Sequence, residues 1–201
     1  MTQTYFTPER IQWLHSKQVN IIMSPRFLVI ECIEVWGGGY FSRTGWSTHA
    51  PKDASPHWIG ENFRRALLSS EYFANLAKDP PVDPADRAVM EKDSNVRRLA
   101  FWEEVASTYG YKKREQAGSC CDMVFAQWHY LVDDFVILTP SKRTTGGHFA
   151  WPSNTKQHKE KVMHVPLSVS DEDLGLAVQE ALSRCEVPKR QTVNMLGRQS
   201  T

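Results

Sequence analysis

A chain of 201 residues, 41% apolar and 11% aromatic, carries enough hydrophobic side chains to bury a core within one domain. Its 24 lysines and arginines stand against 23 aspartates and glutamates, a formal net charge of +1, which argues against a protein held to nucleic acid or an anionic membrane by gross charge. No apolar run approaches the roughly 18 residues of a membrane span, the start lacks a secretory leader's basic and apolar regions, and the four cysteines form no CxxC pair, so the expectation is a cytoplasmic protein with reduced, mostly buried thiols.

Taken in chain order, residues 8–19 (PERIQWLHSKQV) predict a short amphipathic helix, with Thr7 as its cap and Pro8 at its first position. This makes residues 1–19 a helical extension ahead of the core. Residues 27–36 (FLVIECIEVW) predict the clearest strand, bounded by Pro25 and by Gly37, Gly38 and Gly39. The glycines predict a hairpin into a strand that ends at Pro51, because proline cannot donate to a sheet ladder. A helix follows, to about Phe73. The breaker KDPPVDP at 78–84 separates it from a long helix over 85–109, where Val96, Leu99, Trp102, Val105 and Ala106 fall on one side and Gly110 supplies a C-cap. Residues 121–131 and 135–139 read as strands joined by a turn at Asp133 and Asp134. Residues 141–161 are polar and rich in Gly, Thr and Lys, and predict a mobile surface loop. A single domain over 20–190 and a flexible tail over 191–201 complete the organisation.

The last predicted strand and helix, within residues 162–186, repeat an earlier stretch, residues 47–71, without a gap. His49 faces His164, Pro51 faces Pro166, Ser55 faces Ser170, Gly60 faces Gly175, and Ala66-Leu67 faces Ala181-Leu182, all at one offset (164 − 49 = 175 − 60 = 115). Each copy reads as strand, loop and capped helix. Ser55 and Ser170 are N-caps, Pro56 sits at N1, and Asp171, Glu172 and Asp173 meet the positive end of the helix dipole. The shared glycine costs up to about 1 kcal/mol against alanine, which points to a close approach of helix to sheet. The fold class is therefore α+β: a mostly antiparallel sheet with packed helices and a pseudo-duplicated strand–loop–helix unit.

Candidate chemistry is sparse. Seven histidines invite a metal or acid–base site, yet no HExxH or HxH spacing occurs, and His49 and His164 read as residues filling one structural niche twice. Gly37-Gly38-Gly39 lacks the ending of a phosphate-binding loop. Cys120 or Cys121, activated by His129, would give a thiol-dependent enzyme, the alternative function. The basic YGYKKR stretch at 109–114 reads as a helix end whose cations suit its dipole. Asp79, Asp83, Asp86, Asp133 and Asp134 are solvated acids of the kind that cover a basic protein partner, because complementary charge speeds association and sets register.

At residues 101–128 (FWEEVASTYGYKKREQAGSCCDMVFAQW) and at the repeated stretch, the chain resembles the immunity proteins of bacterial contact-dependent growth inhibition (CDI) systems, the CdiI family. The resemblance is carried by Tyr109-Gly110-Tyr111-Lys112, by Thr139-Pro140-Ser141, and by Val165-Pro166 followed by Ser170 to Gly175 and Ala181 to Cys185. The lead-in before Asn20 and the loop over 146–158 depart from that pattern. The resemblance implies a cytoplasmic, non-enzymatic protein without cofactor or metal. Its partner would be the C-terminal toxin domain of a delivered effector, often a nuclease, with no direct contact to nucleic acid or membrane and with a homo-oligomer left open. It carries over no catalytic residue, so the five aspartates stand as candidate toxin contacts on charge alone.

Overall fold

A computed structural model describes residues 16–73, 84–119, 121–130, 132–144, 147–151 and 155–186. In chain order the elements are β1 (Ser16–Met23), β2 (Phe27–Val35), β3 (Gly39–Phe41), β4 (Thr48–Pro51), α1 (Pro56–Ser69), α2 (Pro84–Thr108) and α3 (Arg114–Ala117). Then come β5 (Asp122–His129), β6 (Phe135–Pro140), β7 (Lys142–Thr144), β8 (Gly147–Phe149), α4 (Lys156–Lys161), β9 (Met163–Pro166) and α5 (Asp171–Ser183). This is the α+β arrangement read from the sequence. All the pairings between named strands of the main sheet are antiparallel.

The sheet runs β3-β2-β1-β5-β6-β9, and β4 also pairs with β2. Both β3 and β4 lie along the outer edge of β2, Phe41 opposite Ile33 and Thr48 opposite Ile30, so they are two halves of one interrupted strand. With that in view the sheet is symmetric about its middle. β1 and β5 pair from Ser16↔His129 to Met23↔Asp122; β2 and β6 flank them; β4 and β9 lie outermost. The duplication read at residues 47–71 and 162–186 thus extends backwards through two more strands of each half, where no residue-by-residue similarity is visible.

The two repeated helices lie side by side on one face. Ser55 Oγ accepts from the Trp58 N–H at 3.2 Å and Ser170 Oγ from the Asp173 N–H at 3.1 Å, so both N-caps form as expected. Ile59, Phe63, Ala66 and Leu67 from α1, and Leu174, Val178, Ala181 and Leu182 from α5, bury against Val19, Ile21, Leu28, Ile30, Val124 and Leu138 of the sheet. The paired glycines serve a different contact from the one anticipated. A Cβ on Gly60 would stand 2.6 Å from the Asp171 carbonyl carbon, and one on Gly175 would stand 2.5 Å from that of Pro56. Each helix therefore presses its glycine onto the first turn of the other, and the close approach is helix to helix. Arg64 locks the crossing, donating to Asp171 Oδ1 at 2.8 Å and to the Leu167 and Val169 carbonyls at 2.7 and 2.8 Å.

On the opposite face, α2 sends Trp102, Val105 and Ala106 onto Ile22, Phe27 and Val29. Phe27 is ringed by Tyr109, Tyr111 and Trp102, at centroid distances of 5.0, 5.9 and 6.2 Å. Gly110, with φ of 70°, ends the helix as predicted.

Three sequence expectations are corrected. Residues 16–19 are not the end of a helix but the start of β1, because Val19 is needed in the core opposite Cys32 and Ala126; residues 8–15 lie outside the described residues. The segment over 141–161 is not one surface loop: it holds the β7–β8 hairpin and α4, which Thr155 caps by accepting from the His158 N–H at 3.2 Å. Val96 does not face the core but is 59% exposed, because α2 leans on the sheet mainly through its C-terminal half.

Replacing Gly60 or Gly175 by alanine should lower stability by about 1–3 kcal/mol through overpacking, although alanine by itself favours a helix. Chemical denaturation of the two variants measures this, and a stabilised Gly60→Ala protein would contradict the helix contact.

Candidate functional site

The two halves match in strand order and helix packing, but α2 follows only the first. Among the described residues, the sheet face opposite α1 and α5 is therefore covered over one half and open over the other. His49 and His164 show the difference. His49, on β4, lies under α2 with Nδ1 3.0 Å from the Tyr109 hydroxyl, Nε2 3.6 Å from Glu104 Oε1, and Phe101 beside its ring. His164, on β9, is exposed and meets only the edge of Phe135 at 5.1 Å among its recorded ring contacts. They sit at equivalent strand positions in unlike surroundings, so the single niche expected for them is not what the fold builds.

Between α2 and the open half runs a groove of about 1110 Å³. Its floor lies mainly on the half that α2 flanks, with Asn20 and Ile22 from β1, Glu31 and Ile33 from β2, and only Met123 from β5. Asn95, Arg98 and Trp102 stand along the α2 wall, and Arg114 and His148 close the other side. His148 Nδ1 lies 3.0 Å from the Ser141 hydroxyl; burial, with Arg143 nearby, pushes its pKa below the ordinary histidine value.

Glu31 lies at the bottom of this groove, 4% exposed, with the Trp102 indole N–H donating to its carboxylate at 2.7 Å. Burial pushes its pKa above the ordinary glutamate value, while the Trp102 bond, the charge of Arg98 and a hydrogen bond with Asn20 pull the other way. Among the described residues no lysine, arginine or histidine forms an ion pair with it. Glu34, three residues on, is fully buried on the other face and does have a cation: Arg43 Nε at 2.8 Å, with the Trp36 indole at 3.0 Å. Neither glutamate was singled out from the sequence. The available signal was two acids inside an otherwise apolar strand, since buried glutamates are rare unless paired.

The nominated residues fare unevenly. Asp79, Asp83 and Cys120 lie outside the described residues. Asp86 is exposed in the first turn of α2, where its charge also suits the helix dipole. Asp134 is exposed in the β5–β6 turn, but Asp133 is half-buried: its carboxylate meets His129 Nδ1 at 2.8 Å and its carbonyl accepts from the Trp128 indole at 2.8 Å. The start of α2 lies beside β3, with Arg87 donating to the Tyr40 hydroxyl at 3.2 Å. Ser16 pairs with His129 and Gln18 with Ile33, so the β5–β6 turn and the β2–β3 turn share one end of the sheet. Asp86 and Asp134 therefore stand at that same end, with β1 and β2 between them.

The proposed Cys121–His129 pair does not assemble. Cys121 precedes β5 and His129 ends it, roughly 27 Å apart at about 3.4 Å per residue. Cys121 is fully buried, its thiol directed at the Ala117 carbonyl at 3.3 Å, while His129 is taken by Asp133. Among the described residues, no group of three or more His, Cys, Asp or Glu is arranged to hold a metal ion.

Glu31→Gln tests the buried charge. A carboxyl whose folded pKa is raised holds its proton in the native state at pH values where the unfolded chain has lost it. Stability thus falls as pH rises from about 4.5 toward the raised folded value. Denaturation at several pH values should show Glu31→Gln lacking this decline and matching or exceeding the wild type at neutral pH.

Comparison with known proteins places this fold. Two solved structures share it: a protein of unknown function from Neisseria meningitidis, with a TM-score of 0.67 and 19% identity over 85% of this chain and 96% of that one, and a CdiA-CT/CdiI toxin and immunity complex from Yersinia pseudotuberculosis, with a TM-score of 0.65 and 16% identity over 85% and 98%. No curated protein matches the chain. The sequence profile of the CDI immunity proteins, however, matches residues 17–185, from the second residue of β1 to just past α5. The chain belongs to the CDI immunity protein family, CdiI.

Proposed function

We propose that this protein binds the C-terminal toxin domain of a cognate CDI effector and neutralises it, a nuclease being the expected class of toxin, and that it does so in the cytoplasm as a stoichiometric inhibitor without catalysis, cofactor or metal. The observation that carries this reading is the family match across residues 17–185, which spans the whole described sheet and both repeated helices. The likeness to the Yersinia pseudotuberculosis toxin and immunity complex supports it at the level of fold. The lack, among the described residues, of a helix long and apolar enough to cross a membrane is consistent with it.

Within that reading the groove is the favoured contact surface. It is a concave region beside α2 that sets Asn20 and Glu31 among the apolar Ile22, Ile33 and Met123 of its floor, between charged walls, a mixture suited to recognition. The exposed Asp86 and Asp134 stand at one end of the sheet, where their charge would steer a basic partner. Asp79 and Asp83 remain in the same proposal by sequence position. Asp133 is the weakest of the five, since its carboxylate is engaged in the turn.

The test is co-purification of the tagged protein with the toxin domain of the neighbouring large secreted effector, followed by titration calorimetry. A one-to-one complex with Kd near 1 nM or tighter, about −12 kcal/mol, is expected. A folded, toxic domain that does not bind would refute the reading. Reversing Asp86 and Asp134 together to lysine should slow association several-fold, most visibly at low salt, and leave dissociation nearly unchanged.

A further inference from the structure

β2 buries two carboxylates three residues apart, on opposite faces of the sheet, and treats them differently. Glu34 is sealed under the β3–β4 connection with its charge met by Arg43 at 2.8 Å, and the Arg43 backbone N–H adds a bond at 3.3 Å. Glu31 is buried almost as deeply, but its hydrogen-bond partners, the Trp102 indole and Asn20, are neutral, and the Arg98 charge acts on it without an ion pair. It also lies in the floor of the groove, whereas Glu34 does not. An unneutralised buried carboxylate is costly, and the cost is relieved most by a cation that makes charge-assisted hydrogen bonds in the same low-dielectric site.

We infer that Glu31 is the recognition acid of the groove, accepting an arginine or lysine side chain that the toxin domain projects into it. This rests on the immunity function proposed above. Trp102, which itself lines the groove, holds the carboxylate in place by its indole N–H, so no side-chain search is needed on binding. The charges around the entrance nearly balance: Glu91, Lys92 and Arg98 on α2, with Arg114 and Glu115 on α3. These are at the surface, where water and salt screen them, and Arg98 is exposed. Glu31 is the groove-lining charge withdrawn from that screening. A cation reaching it gains a strong contact, whereas a toxin with a neutral group at that place leaves the acid buried and unmatched. The same residue therefore adds affinity for one partner and rejects others.

The experiment is titration of wild-type protein and Glu31→Gln with the toxin domain captured by co-purification, both proteins first shown to be folded by circular dichroism. Glu31→Gln keeps shape and hydrogen bonding but removes the charge, and should raise Kd about 30-fold or more. On the toxin side, one arginine or lysine replaced by methionine should give a comparable loss against wild type and almost none against Glu31→Gln. In the wild-type complex the Trp102 indole N–H resonance should shift, because its carboxylate acceptor gains a further, charged donor. Binding of Glu31→Gln within threefold of wild type would overturn this inference and leave the immunity function intact. So would an unmoved Trp102 resonance, or the failure of every basic toxin residue to couple to Glu31. No binding by the wild-type protein would overturn both.

Discussion

The crossing of α1 over α5 is the constraint from which the rest of the structure follows. Two glycines, Gly60 and Gly175, remove the side chains that would hold the helices apart, and each receives the first-turn backbone of the other helix. That contact sets the spacing of the helical layer, and the spacing sets how the sheet beneath must be built. Each helix is tethered to an outer strand, β4 or β9, by a short loop, so bringing the helices together places those strands at opposite edges. The four remaining long strands then fill the interval as an antiparallel sequence with β1 and β5 in the middle. Arg64 reinforces the arrangement by reaching from α1 to the loop that leads into α5, where it satisfies two carbonyls and one carboxylate.

A sheet symmetric about its centre presents two equivalent halves on its second face, and that equivalence is broken by α2. α2 covers β2 and part of β1 but has no counterpart over β6 and β9 among the described residues. Phe125, Gln127, Phe135, Ile137 and His164 are left partly or wholly accessible on a surface that the related half buries. The β7–β8 hairpin and α4, inserted only in the second half, bring His148 to the side of the groove instead of closing it. Among the described residues, the accessible surface thus arises from one element that is present in one half and has no counterpart in the other. It also explains why a hydrophobic sheet face can stay open without the helical layer losing any of its packing.

The pair of buried glutamates on β2 illustrates the same separation of roles. On the sealed face the acid is neutralised within the chain and contributes to holding the β3–β4 connection. On the face that α2 flanks, the acid is oriented but forms no ion pair among the described residues. Local sequence cannot tell these apart, since both are glutamates in one apolar run. The difference lies in which residues from distant segments, Arg43 for one and Trp102 for the other, the fold brings against them.

Much of the fold was determined locally. Ser55 and Ser170 as caps, Pro51 and Pro166 as strand ends, Gly110 as a helix stop and the apolar spacing of α1 and α5 all depend on backbone chemistry within a few residues, and each formed as read. The repeat register, with the family resemblance, also lay in the residues themselves. Tertiary contacts decided the rest. Residues 16–19 are polar enough to pass for a helix end, yet pairing with both β2 and β5 makes them strand. The hairpin within 141–161 rests on ladder bonds that no local signal announces. The reason for the shared glycines was visible only once two helices 115 residues apart in sequence were seen to touch. Likewise, a cysteine and a histidine bracketing one strand looked like neighbours, but an extended chain carries them to opposite ends. Local propensity selects the elements; the burial of faces against distant partners selects which residues become a site.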